Sequence, residues 1–194
     1  GGAAGDSVAT IRALLDARLT DRSVAPVVDP TAARLCHEAG IGGELTLKIG
    51  HSVDSKWGSP IEVTGRVTQL TNGVFRYEGG IWDGRRGDMG PSAVLQVGSL
   101  QLCIATHATY EWCGEQMKSL GVETEDAKFI VAKNPMNYSM TFPNAQAVYV
   151  LDTPGPTPAT LRHAPFLKLQ RPYFPLHDDI PNLKPTIIQG RNSS

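Results

Sequence analysis

The first seven residues, Gly1-Gly2-Ala3-Ala4-Gly5-Asp6-Ser7, set three glycines, an acid and a hydroxyl ahead of a helical pattern. Glycines let backbone N–H groups approach a ligand closely, and a helix N-terminus behind such a loop attracts anions. Asp6 or Ser7 would cap that helix. The same residue types also make an ordinary turn and N-cap, and the spacing is neither that of the dinucleotide fingerprint nor that of the Walker loop. Lys133 and Asn134 follow the apolar run Phe129-Ile130-Val131-Ala132 directly. Polar groups at the carboxyl end of a strand line the ligand crevice of an open α/β sheet, which makes both residues site candidates beside the plainer reading of a solvated loop. Cys103 and His107, four apart on an expected strand, would share a face and form the best local pair for a metal, although a buried Cys with a nearby His is more often core and surface rim. The other histidines, at 37, 51, 163 and 177, are scattered without zinc-motif spacing. Ser7 as a nucleophile would need a base; no late Asp-x-x-His is present and His177-Asp178-Asp179 is a loose substitute, so an N-cap is the more economical role.

The elements that must position these residues read as follows. Val8, Ile11, Leu14, Leu15 and Leu19 recur at helical spacing, predicting a helix over 7–19 anchored on a core. Val24 to Val28 reads as a short buried strand, with Pro26 best placed on an edge or at a bulge. Asp29-Pro30 supplies an N-cap and first-turn proline for a second helix ending near Gly40. Leu45, Leu47 and Ile49, then Ile61, Val63, Val67 and Leu70, alternate as strands with one wet face. Asn72-Gly73 predicts a hairpin joining 67–70 to 74–77, and Gly98-Ser99 a second joining 92–97 to 100–106. The polar loop 82–91, which contains Asp88, either caps a site or crosses the sheet. A helix over 111–120, a buried strand over 129–132, a short turn or helix around 136–142 and a last strand over 147–151 complete the body. Eight of the 14 prolines lie between Pro154 and Pro185, which excludes regular helix or central strand there. The expected organisation is a mixed α/β (α+β) body over 1–153, with a layered helix-strand-helix start, and an extended proline-rich arm over 154–194 packed on the body or a partner.

With 18 basic and 19 acidic residues the net charge is -1, which offers no electrostatic footprint for nucleic acid or an anionic membrane. No apolar run reaches the roughly 18 to 20 residues of a membrane span and no signal peptide is visible, so a cytoplasmic location is the default expectation. Three cysteines without paired spacing argue for reduced thiols. The chain opens in a loop without an initiator Met, where an α/β fold would place a strand before the helix; this predicts a piece of a longer protein.

Four stretches carry a family resemblance: Gly1 to Ser7, Val28-Asp29-Pro30, the run from Asp88 to Leu95, and Val131-Ala132-Lys133. In order and spacing they resemble the C-terminal domain of the microcystinase-C-like metallopeptidases, over residues 1 to about 155. The resemblance implies a zinc-dependent hydrolase of amide bonds in small or linear peptides, its zinc and catalytic groups held mainly by an upstream domain of the same protein. No catalytic residue and no metal ligand is then expected in this chain, which by itself would be inactive. Gly1, Gly2, Gly5, Asp6 and Ser7 would form the loop facing the active site, Lys133 would contact substrate or a carboxylate, and Asp88 would order the loop before its strand; Asn134 departs from the family pattern and is a candidate through its place after the strand alone. A homo-oligomer is compatible with this reading. The alternative is a non-catalytic scaffold or dimerisation domain, with the glycine loop a hinge.

Overall fold

The structure, a computed structural model, describes residues 5–110, 114–134, 138–161, 166–174 and 176–177. Expectations for Gly1, Gly2, Cys113, His163 and Asp178-Asp179 lie outside the described residues. The chain divides into two compact units, Gly1–Ala159 and Thr160–Ser194.

The first unit is a mixed α+β domain built on one sheet. Strands β1 (Ser23–Val28), β2 (Glu44–Ile49), β3 (Ile61–Thr71), β4 (Val74–Arg76), β5 (Arg86–Asp88), β6 (Ser92–Val97), β7 (Leu100–Ala105) and β8 (Phe129–Ile130) alternate with helices α1 (Ala9–Asp16), α2 (Pro30–Ala39), α3 (Glu115–Ser119) and α4 (Tyr138–Thr141). Six strands hydrogen-bond in the order β2-β3-β6-β7-β1-β8, and β4 with β5 forms a separate ribbon. The pairs β2·β3, β3·β6 and β6·β7 are antiparallel, whereas β1 runs parallel to both β7 and β8. Alternation along β1 sends Ala25 and Val27 into a core with Val8 and Ile11 at α1 and Ala32, Ala33 and Cys36 of α2. Val24 points the other way, into a second core with Phe75, Tyr77, Met89, Met117 and Leu120. The sheet is therefore covered by α1 and α2 on one face, and by the ribbon and α3 on the other.

Local signals account for several elements. Asp29 caps α2, its Oδ1 accepting from Ala32 N at 3.0 Å, and Pro30 opens the helix; Gly40, at φ +75°, ends it. The β6–β7 hairpin turns at Gly98-Ser99 as the sequence indicates, with Val97 opposite Leu100. β1 lies between β7 and β8, but β8 pairs only with Ser23 and Val24, so Pro26 lies where β1 has no strand partner on that side, and the hydrogen-bond pattern explains why it is tolerated. Ser23 N and Asp29 N bond towards β7, to Ser99 O and Ala105 O, whereas Val24 O and Val28 N bond on the opposite side, to Val131 N and Gly5 O. By strand alternation Pro26 faces that opposite side too, between the end of β8 and the Gly5 loop, where a missing N–H leaves no ladder bond unmade.

Other expectations are corrected. Asn72-Gly73 does turn, with Gly73 at φ +72°, but it joins no hairpin: β3 pairs with β6, and β4 leaves the main sheet to pair with β5. The apolar face of β3 is satisfied better by the long β6 partner than by the three residues of β4. Helix α1 begins at Ala9 behind Val8, with no side-chain cap, so neither Asp6 nor Ser7 caps it. The strand expected over 129–132 is a two-residue edge strand with Phe129 exposed. Residues 147–151 form no strand. In the second unit, the rings of Phe166, Tyr173 and His177 pack edge to face in sequence.

Candidate functional site

The glycine loop, the carboxyl end of β1 and the segment after β8 converge through hydrogen bonds that span most of the first unit. Gly5 has φ +72°, and a Cβ there would lie 2.8 Å from Val28 Cγ2, so both the conformation and the space require glycine. Its carbonyl accepts from Val28 N at 3.1 Å. The Lys133 ammonium, arriving from beyond β8, donates to Gly5 O at 2.5 Å and to Ser7 O at 2.8 Å. The expected site residues Gly5, Asp6, Ser7 and Lys133 are thus brought together, with half-buried Asn134 adjacent in the chain. Lys133 grips the loop backbone itself.

Asp6 is buried, and its carboxylate faces inward: Oδ2 accepts from Val53 N at 3.0 Å and Asp54 N at 2.7 Å, while its carbonyl accepts from His51 N at 2.9 Å. A buried carboxylate needs such donors to replace its hydration. Asp29 makes a matching link, its Oδ2 accepting from Gly50 N at 2.9 Å, so the cap of α2 also holds the end of β2. Gly50 lies at φ +84°, and a Cβ there would meet Val8 Cγ1 at 2.2 Å. His51 takes φ +52°, rare for a residue with a side chain; its Nδ1 lies 3.3 Å from Asp54 O, and its ring packs so closely on Gly58 that a Cβ there would be 2.4 Å from Nε2. The 50–54 loop is a part of the site that sequence reasoning missed. Its only signal was a glycine followed by His-Ser-Val-Asp at the end of an alternating strand.

Asp6, Ser7, His51, Asp54 and Trp57 line a cleft closed by Pro154, Gly155 and Pro156, with room for about one water. Such a cleft is too small for a substrate. Among the described residues no hydrogen bond joins Ser7 to a histidine, although Ser7 and His51 both line this cleft. Asp88 is engaged elsewhere: Oδ1 accepts from Gly90 N at 3.0 Å in the turn leading to β6, and Oδ2 pairs with Arg86 at 2.8 Å.

Metal binding does not fit the described residues, among which no group of three or more His, Cys, Asp or Glu side chains could hold an ion. The carboxylates of Asp6 and Asp29 already satisfy backbone amides. Cys103 is buried in the second core, and His107 packs its ring on Gly90. Burial, reinforced by the nearby Asp29 carboxylate, pushes the Cys36 thiol up to about 11, which disfavours the thiolate that a metal or a nucleophilic role would require.

Comparison with known proteins places this architecture. The family model described as MlrC C-terminus matches residues 1–168. The chain belongs to the MlrC C-terminus family. Microcystinase C from Sphingomonas sp. is 27% identical over 177 residues, covering 90% of this chain and 33% of that protein. The crystal structure of a Mesorhizobium sp. BNC1 protein assigned as a metallopeptidase superposes with a TM-score of 0.76 at 26% identity, covering 93% of this chain and 36% of its own. This MlrC C-terminal domain thus spans about a third of the length of the relatives it matches. No helix among the described residues is long and apolar enough to cross a membrane.

Proposed function

We propose that this chain is the part of a metal-dependent amide hydrolase that completes the active-site cleft, with zinc and its ligands carried by a preceding region of the same protein. The substrates are small or linear peptides and amides. The observation that carries the reading is the doubly held glycine loop. Lys133 holds the carbonyls of Gly5 and Ser7, Asp6 holds the amides of Val53 and Asp54, and the loop lies at the carboxyl end of β1 in a chain related to metallopeptidases. A loop held this firmly presents backbone groups in one geometry, which is what orienting a substrate requires. Gly1, Gly2, Gly5 and Ser7 line the cleft in this reading. Asp6 and Lys133 are positioning residues that act through the loop, Asn134 flanks it, and Asp88 orders its own turn. A scaffold role is the second reading, favoured by the same bonds of Asp6 and Lys133 to the backbone of the domain itself.

The test uses the longer polypeptide that includes the preceding region, assayed on a panel of linear peptides by mass spectrometry with and without a chelator. Asp6→Asn and Lys133→Met are expected to lower kcat/KM at least about tenfold with metal content unchanged, a loss of roughly 1.4 kcal/mol of transition-state stabilisation. Turnover unaffected by both substitutions would favour the scaffold. About one tightly held zinc in the 194-residue chain alone would overturn the assignment of the ligands to the preceding region.

A further inference from the structure

Val148, Tyr149, Val150 and Leu151 are consecutive and exposed by 49%, 81%, 66% and 53%. A strand with one wet face would bury every second side chain; here residues of both parities are bare. Residues 147–151 pair with no strand, and no backbone hydrogen bond engages them among the described residues. Both faces and both edges of the run are therefore open. Exposed apolar runs of this kind, flanked by polar Gln146 and Asp152, mark places where another surface belongs.

The position of the run narrows what that surface is. Pro154, three residues after Leu151, lines the narrow cleft with Asp6 and Ser7, so the run lies within about 10 Å of chain from a residue of that cleft. The relatives are about three times as long as the part this chain matches. The described chain begins at Gly5, next to Asp6 and Ser7 of this cleft, so its N-terminal end and the bare run are both tied to the same cleft. A run apolar on both sides suits insertion as a strand with cover above and below, its unpaired backbone groups providing affinity and its side chains specificity.

We infer that residues 148–151 are the docking strand for the preceding region of the same protein. This rests on the proposed two-part protein but not on its chemistry. Hydrogen exchange, followed by mass spectrometry on peptides covering 147–152, tests it in the 194-residue chain and in the longer polypeptide. Exchange should be fast in the former and at least about tenfold slower in the latter, and the double substitution Tyr149→Asp, Val150→Asp should restore fast exchange in the longer polypeptide while peptides from β6 and β7 stay protected. Equal exchange in the two proteins would overturn the inference. So would protection already present in the 194-residue chain that disappears on dilution alongside a dimer measured by light scattering, which would make a second copy the occupant. Protection without metal-dependent turnover would uphold the docking strand and remove the hydrolase; turnover without protection would do the reverse.

Discussion

Replacing Lys133 by methionine keeps the aliphatic stem and removes only the ammonium that binds Gly5 O at 2.5 Å and Ser7 O at 2.8 Å. A hydrogen bond from a charged donor contributes about 1.5–3 kcal/mol net, and two such bonds set the upper end of the loss. Lys133 is half-buried and water can reach part of the vacated space, while Gly5 O keeps its bond from Val28 N. The expected net cost is therefore about 2 kcal/mol. For a domain of this size that lowers Tm by about 4–8 °C. Calorimetry and urea titration of the 194-residue chain would read the loss, with the urea m-value unchanged. Hydrogen exchange of residues 5–8 should accelerate. Lys133→Arg, which keeps the charge but carries it on a planar fork, should recover only part of the stability. A Tm within about 1 °C of the parent, together with unchanged exchange at residues 5–8, would refute the clamp and leave the loop held by its glycine turn, Val28 and the bonds that Asp6 makes to residues 51, 53 and 54.

Two further outcomes follow from the packing of the same region. Gly50→Ala combines left-handed backbone with a Cβ 2.2 Å from the stiff, buried Val8, and should cost about 3 kcal/mol or more, whereas Gly84→Ala, at φ +71° with open space around it, should cost only about 1–2 kcal/mol in urea unfolding. Cys36 in the folded chain has its pKa raised from 9.0 to about 11 by burial and then by Asp29. The folded state therefore holds the proton more tightly, and the stability it contributes is complete below pH 9 and lost as pH rises through about 11, a difference of about 2–3 kcal/mol. Urea midpoints measured between pH 8 and 10.5 should fall more steeply in the parent than in Cys36→Ala, and Cys36 should resist iodoacetamide at pH 8 until the chain is unfolded.

The features readable from sequence are those set by neighbours a few residues away. Asp29-Pro30 at the start of α2, Gly40 at its end and Gly98-Ser99 between β6 and β7 carry capping and turn chemistry in the residues themselves, and the four family motifs sufficed to recognise the MlrC C-terminal domain. Tertiary structure alone decided which partner each segment meets. Asn72-Gly73 turns as its residue types require, yet β3 bonds to β6 because that pairing covers more of its length. Pro26 is accommodated in the sheet because β8 is short and Gly5 takes over the next bond. The site itself depends on contacts of great sequence separation: Lys133 reaches Gly5 across 128 positions, and Asp6 reaches Asp54 across 48. No local pattern encodes where a long lysine or a buried carboxylate finds its donors and acceptors. That is settled by which backbone groups the folded core leaves without partners, since leaving them unsatisfied costs more than any local propensity supplies.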